Sequence, residues 1–203
     1  FQGCTNLKTL TFPASYKAET LSFGLTPFVS CPAFEGYVIE DGASIVRTED
    51  GTLLAGGGKV LVSLPRDFKG TSYTVPDGVE TISDYLFYKN TTITSVTLPA
   101  SLKKIGTAAF QGCTKLTSIA LPDGFTTLGE HAFDGCSGLK TMTFGQSLTA
   151  VPAYAFSNCS ALTAVDLPAT VETVGDYAFR GCAKATALSL KEGLTSIGAN
   201  ASH

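Results

Sequence analysis

Six cysteines and two histidines carry most of the reactive chemistry available to this 203-residue chain. Thiolates ligate soft metals and attack carbonyl carbons, and an imidazole can activate them if the fold brings the groups together. Cys113, Cys136, Cys159 and Cys182 recur at intervals of 23 residues, and no C-x-x-C pair or Cys/His cluster has zinc-ligand spacing. No metal centre is therefore expected. A Cys136–His131 dyad can be drawn, but Cys136 belongs to the repeating series and no orienting carboxylate recurs with it. His203 is terminal and reads as a tag remnant. Gly56-Gly57-Gly58-Lys59 lacks the leading Gly of a phosphate-binding loop and the Ser or Thr after Lys, and reads as a turn. With no nucleophile, acid and base in one constellation, the chain is expected to be no enzyme and to need no cofactor.

The series that holds those cysteines dominates the sequence. Phe87, Phe110, Phe133, Phe156 and Phe179 each open a segment of 23 residues, with Cys at the fourth place in four segments and Asn90 in the other. A fixed period of this length marks stacked supersecondary units. From Phe110 the apolar positions are Leu116, Ile119, Leu121, Phe125, Leu128 and Ala132, with Gly129 after Leu128. The other segments overlay on them, with Pro152 replacing that Gly once and Ala185 undersized where Leu stands elsewhere. Steps of two and three residues do not fit one amphipathic helix; they suit short strands and turns wound into a coil. Pro99, Pro122 and Pro168 close the first strand of their coils, where pairing should stop. Coils at a strand spacing of about 5 Å would put successive Cys within disulfide distance. Since Asn90 shows that the column does not require sulfur, free buried thiols are the favoured expectation. Cys4 is expected to join the column, and Cys31 stands outside it.

This pattern resembles the leucine-rich repeat family, and more closely its BspA-like bacterial group, whose repeat is L-x-x-I-x-L-P-x-x-L-x-x-I-G-x-x-A-F-x-G-C. Leu116 to Cys136 reads L-T-S-I-A-L-P-D-G-F-T-T-L-G-E-H-A-F-D-G-C. The resemblance covers 87–201 as five repeats and 73–86 as a half repeat through Val75, Pro76, Val79, Ile82 and Phe87. A partial repeat spans 1–13 through Phe1, Cys4, Leu7, Leu10 and Phe12. It implies a β-rich solenoid, a right-handed coil or horseshoe, with a β-hairpin insertion. It also implies that the Asn or Cys of each turn satisfies nearby backbone groups. Asn90, Asn158 and Asn200 open glycosylation triplets, but Asn90 is expected to be buried and the resembled group is largely bacterial.

The stretch 14–72 breaks the period. Asp41-Gly42 and Asp50-Gly51 are hairpin-turn dipeptides flanked by Ile45-Val46 and Leu53-Leu54, and Lys59 to Pro65 reads as a further strand. Similar irregular β-rich insertions occur in BspA-like proteins, so the expectation is a single leucine-rich repeat domain over 1–203. Both ends read as cuts through a longer protein.

A composition of 44% apolar and 15% charged residues is that of a globular chain. A net charge of −3 without a Lys/Arg cluster argues against nucleic acid, and no apolar run is long enough for membrane insertion. What remains is surface. Thr94, Ser95, Thr97, Thr117, Ser118, Ala120, Lys140, Thr141, Thr143, Thr163, Ala164 and Asp166 should face outward as a nearly uncharged strand face, which good exposed strand formers alone would explain. Tyr85, His131, Tyr154 and Tyr177 share the position two before the repeating Phe, as exposed anchors or as rings packed on neighbouring coils. They are the candidate binding residues. The resemblance implies an extracellular or cell-surface recognition or adhesion module whose partner is a protein or glycan, host matrix included. The alternative is a structural spacer or assembly repeat presenting another domain.

Overall fold

The computed structural model describes residues 1, 3–17, 21, 23, 31–65 and 68–202; His203 lies outside them. The chain folds as two compact units, Phe1–Phe68 and Lys69–His203.

In the first unit, β1 (Thr9–Phe12) pairs in parallel with β2 (Gly36–Ile39). Strands β3 (Val46–Arg47), β4 (Leu53–Ala55) and β5 (Val60–Ser63) form an antiparallel meander. Asp50-Gly51 turns β3 into β4: the Asp50 Oδ1 accepts the Thr52 N–H at 3.0 Å, and Gly51 has φ +89°. Gly56–Gly58 forms the short 3-10 turn between β4 and β5, which suits three residues at positive φ. Asp41-Gly42 also turns the chain, but it leaves β2, whose partner is β1, so it is not the hairpin its sequence suggests. Phe12, Ile45, Leu53, Ala55, Val60 and Val62 make the core of this unit, with Tyr16 and Tyr37 packed against it.

The second unit is a β-solenoid. Its first strands are β6 (Ser72–Thr74), β7 (Thr81–Ile82), β8 (Ser95–Thr97), β9 (Lys104–Ile105), β10 (Ser118–Ala120) and β11 (Thr127–Leu128). There follow β12 (Thr141–Thr143), β13 (Ala150–Val151), β14 (Ala164–Asp166), β15 (Thr173–Val174), β16 (Ala187–Ser189) and β17 (Ser196–Ile197). Even-numbered strands stack in parallel on one side of the coil and odd-numbered strands on the other, each residue opposite the one a full repeat away. Four of the six even strands bury the central residue and expose its flanks, as with Val96 between Ser95 and Thr97 and Ile119 between Ser118 and Ala120, whereas Met142 of β12 and Leu188 of β16 are half-buried. The strand face therefore points outward as the pattern requires, except that Thr94 is half-buried.

Thr has a further reason to recur beside these strands. The Thr117 hydroxyl donates to the Thr94 carbonyl at 3.2 Å, and its N–H donates to the same oxygen at 3.1 Å. Thr94, Thr163 and Thr186 repeat this on the preceding coil. The hydroxyl thus ties coil to coil, which β propensity alone does not supply.

The interior is a set of columns. Phe87, Phe110, Phe133, Phe156 and Phe179 stack face to face, with centroids 4.7, 5.1, 5.4 and 5.4 Å apart and planes within 9°. The repeating Gly is set by proximity rather than by dihedral angle. A Cβ on Gly129 would lie 2.4 Å from backbone atoms of Gly106 and Thr107 in the coil below. In the last coil Leu190 and Ile197 are 43% and 53% exposed, since among the described residues no further coil lies over them.

Phe133→Ala should cost about 3–5 kcal/mol by opening a cavity in the column, more than Tyr154→Ala, as read by denaturant unfolding. Gly129→Ala should be severely destabilising while Gly124→Ala, whose added methyl meets nothing within 4 Å, should not; equal effects would refute the close-approach account.

Candidate functional site

The surface turn that opens each repeat is the most constrained part of the coil. Two residues per turn have left-handed backbone. The second is Gly112, Gly135 or Gly181 in three coils, with Lys89 and Asn158 in the others. The first is Tyr85, Ala108, His131, Tyr154, Tyr177 or Asn200, at φ between +51° and +58°. Glycine takes this conformation freely, whereas another residue there costs of order 1–3 kcal/mol. The geometry is enforced by the next coil: the N–H groups of Tyr85, Ala108, His131, Tyr154 and Tyr177 donate to Thr107, Glu130, Ala153, Asp176 and Ala199 carbonyls at 2.9–3.2 Å. Solenoid stacking therefore holds aromatic side chains where a free peptide would place glycine.

The rings so placed form a ladder. His131 stacks on Tyr154 at 4.6 Å and 7°, and Tyr154 on Tyr177 at 5.0 Å and 15°. Arg180 sits over the Tyr177 ring at 5.4 Å, a cation–π contact. All three residues are half-buried, and Tyr154 has a ladder ring on each of its faces. Tyr85 belongs to the same position but not to the ladder. Ala108 intervenes, and Tyr85 packs edge-on against Tyr88 at 5.9 Å. Of the four residues singled out by sequence, the structure joins three and separates one.

Beside the ladder Asp134 is a hub. Its Oδ2 accepts from Gln111 Nε2 at 2.9 Å and pairs with His131 Nδ1 at 3.2 Å, and its Oδ1 accepts from Asn158 Nδ2 at 3.3 Å. These polar neighbours were missed because they fall at variable repeat positions. Asp134 follows a Phe, where other coils carry Tyr88, Gln111, Ser157 and Arg180. The exposed Asn158 and Arg180 complete the face.

The thiols form no site with it. Cys113, Cys136, Cys159 and Cys182 donate to the carbonyls of Phe87, Phe110, Phe133 and Phe156 at 3.1–3.3 Å, one coil back; the first three are buried, but Cys182, in the last coil, is half-buried rather than buried as expected. Cys136 thus bonds Phe110 while His131 bonds Asp134, so each is engaged by a partner other than the other. Burial pushes the Cys136 and Cys159 thiols well up and Cys182 up to about 11. Asn90 acts differently: it is half-buried, not buried, and its Oδ1 accepts the N–H groups of Thr92 and Ile93 in its own turn, both at 3.0 Å. Cys4 is exposed rather than in the buried column, and Cys31 donates to the Phe1 carbonyl.

Residues 80–202, more than half of the chain, match the family described as BspA type Leucine rich repeat region, in six copies. A search of the curated proteins returned no match. Among solved structures, a leucine-rich repeat protein from Eubacterium ventriosum is similar at 23% identity and a TM-score of 0.69, over 95% of this chain and 63% of that one. The T. pallidum leucine rich repeat protein is similar at 28% and 0.58, over 76% of this chain and 82% of that one. The pneumococcal vaccine antigen PcpA is similar at 22% and 0.55, over 96% and 56%. The chain thus spans less than two thirds of the Eubacterium protein's length.

Two measurements probe this geometry. Tyr154→Gly should be more stable than Tyr154→Ala by about 1 kcal/mol, because both lose the stack and only Gly relieves the left-handed backbone. The reverse order would contradict positive φ at this position. Thiol protonation gives the second. Cys182 keeps its proton in the folded chain up to about 11 against an ordinary value of 9.0, so the stability this confers is complete below pH 9 and falls as pH rises through 11. Melting temperatures across that range should decline less steeply for Cys182→Ser than for the parent chain.

Proposed function

Because the chain belongs to the BspA-type leucine-rich repeat family, we propose that it is a non-catalytic recognition module that engages its partner through the aromatic turn face of the second unit. The observation that carries this is the ladder of His131, Tyr154 and Tyr177, three aromatic residues kept at left-handed positions where glycine would be unstrained. Backbone strain maintained by the surrounding structure concentrates at functional surfaces. Aromatic side chains with a polar tip are also the favoured anchors of interfaces. Each ring is locked by the coil above it, so binding would order little that is not already ordered.

We place the module outside the cell or on its surface, where a partner would be an extracellular protein or glycan, host matrix among them. The resemblance to a pneumococcal vaccine antigen supports that location. A net charge of −3 gives no attraction to nucleic acid, and among the described residues no helix is long and apolar enough to cross a membrane.

A binding screen against matrix proteins and glycans tests the reading. Replacing Tyr154 and Tyr177 together by Ser should weaken any hit by about tenfold or more. Unchanged affinity would move the site to the Thr/Ser strand face or to residues 14–72, and an empty screen would favour a structural spacer.

A further inference from the structure

The turn face discriminates between classes of partner because its backbone donors are already committed. The N–H groups of His131, Phe133 and Gly135 donate to Ala153, Ala155 and Ser157, and those of Tyr154, Phe156 and Asn158 donate to Asp176, Ala178 and Arg180, at 2.6–3.2 Å. An extended peptide that docks by strand addition draws its affinity from main-chain hydrogen bonds. Here those N–H groups point into the next coil instead. Recognition must run through side chains, and these recur once per coil.

The step of that recurrence is 4.6 Å from His131 to Tyr154 and 5.0 Å from Tyr154 to Tyr177. An extended peptide advances about 3.3 Å per residue and returns a side chain to the same face only after two, so it runs out of register with the rungs. An extended chain of equatorially linked pyranose rings repeats close to the coil step. It would set one sugar beside each rung, and where alternate rings turn over along the chain, hydroxyls from opposite ring edges would alternate along the ladder. The ring faces of the ladder cover each other, so what meets such a chain is the ring edges and phenol hydroxyls of Tyr154 and Tyr177. The exposed Arg180 guanidinium is a donor alongside, while the Asn158 Nδ2 is already engaged by Asp134 and Ser157. We propose that the partner of the turn face is an unbranched glycan lying along the solenoid axis, one sugar per coil from His131 to Tyr177. The proposal rests on the reading of this face as the recognition surface.

The test titrates the chain by calorimetry with cello-, xylo-, manno- and chito-oligosaccharides of increasing length, and with a panel of extracellular matrix proteins. The variants are Tyr154→Phe/Tyr177→Phe, which keeps the stacked rings and removes the hydroxyls, and Tyr154→Ser/Tyr177→Ser. The expected result is that one sugar series binds, with affinity rising to the trisaccharide and then levelling. The Phe double variant should bind about tenfold more weakly at an unchanged melting temperature. Absence of binding by every series, affinity independent of length, or full affinity in the Phe double variant would overturn the proposal. A matrix protein that binds when no sugar does, and is lost in the Ser double variant, overturns the glycan and keeps the recognition face. A sugar bound equally by the Ser double variant overturns both.

Discussion

The solenoid depends on one constraint, the approach of each coil's backbone to the next at the spacing of paired strands. At that distance a methyl on Gly129 has nowhere to go, and N–H groups of the turn reach carbonyls one coil on. Everything repeats because the contact repeats. Side chains at equivalent positions are forced into columns, so Phe lies on Phe, thiol follows thiol and Thr hydroxyls tie neighbouring strands. Columns of like residues cost nothing in the apolar interior, where identical flat rings stack well. They would be costly for charges, and the Asp or Arg of one coil indeed faces Gln, Ser or Asn in its neighbours.

The same constraint sets the chemistry of the turn. Hydrogen bonds to the following coil hold two left-handed residues per repeat, and the chain answers these two demands differently. At the second it mostly uses glycine, which satisfies the backbone and offers no side chain. At the first it accepts strain, with Tyr85, Ala108 and Asn200 in three coils and His131, Tyr154 and Tyr177 in the other three, where the mutual stacking of the rings offsets part of the conformational cost.

The fold was legible because a 23-residue period in Phe, Cys, Leu and Gly is a long-range signal that survives local ambiguity. The Phe column, the outward strand face and the parallel register all follow from it. The hairpin at Asp50-Gly51 was readable too, from turn chemistry. Asp41-Gly42 was not, because the dipeptide specifies a bend while the pairing of β2 with β1 is decided by segments distant in sequence. At the turn face, sequence gave the shared position of Tyr85, His131, Tyr154 and Tyr177 but not which would touch. That depends on Ala108 breaking the series. The Asp134 hub and Arg180 lay hidden in a column whose residue type changes at every coil, so no periodicity marked them.

The central claim is that partners meet the molecule at the aromatic turn face and not at the strand face. Chemical-shift mapping of the labelled chain, as a bound partner is added, tests it most directly. The account predicts that shifts concentrate at His131, Tyr154, Tyr177, Asn158 and Arg180 and leave Ser118, Thr141 and Thr143 unmoved. Shifts centred on those three strand residues, with the turn face silent, would contradict it.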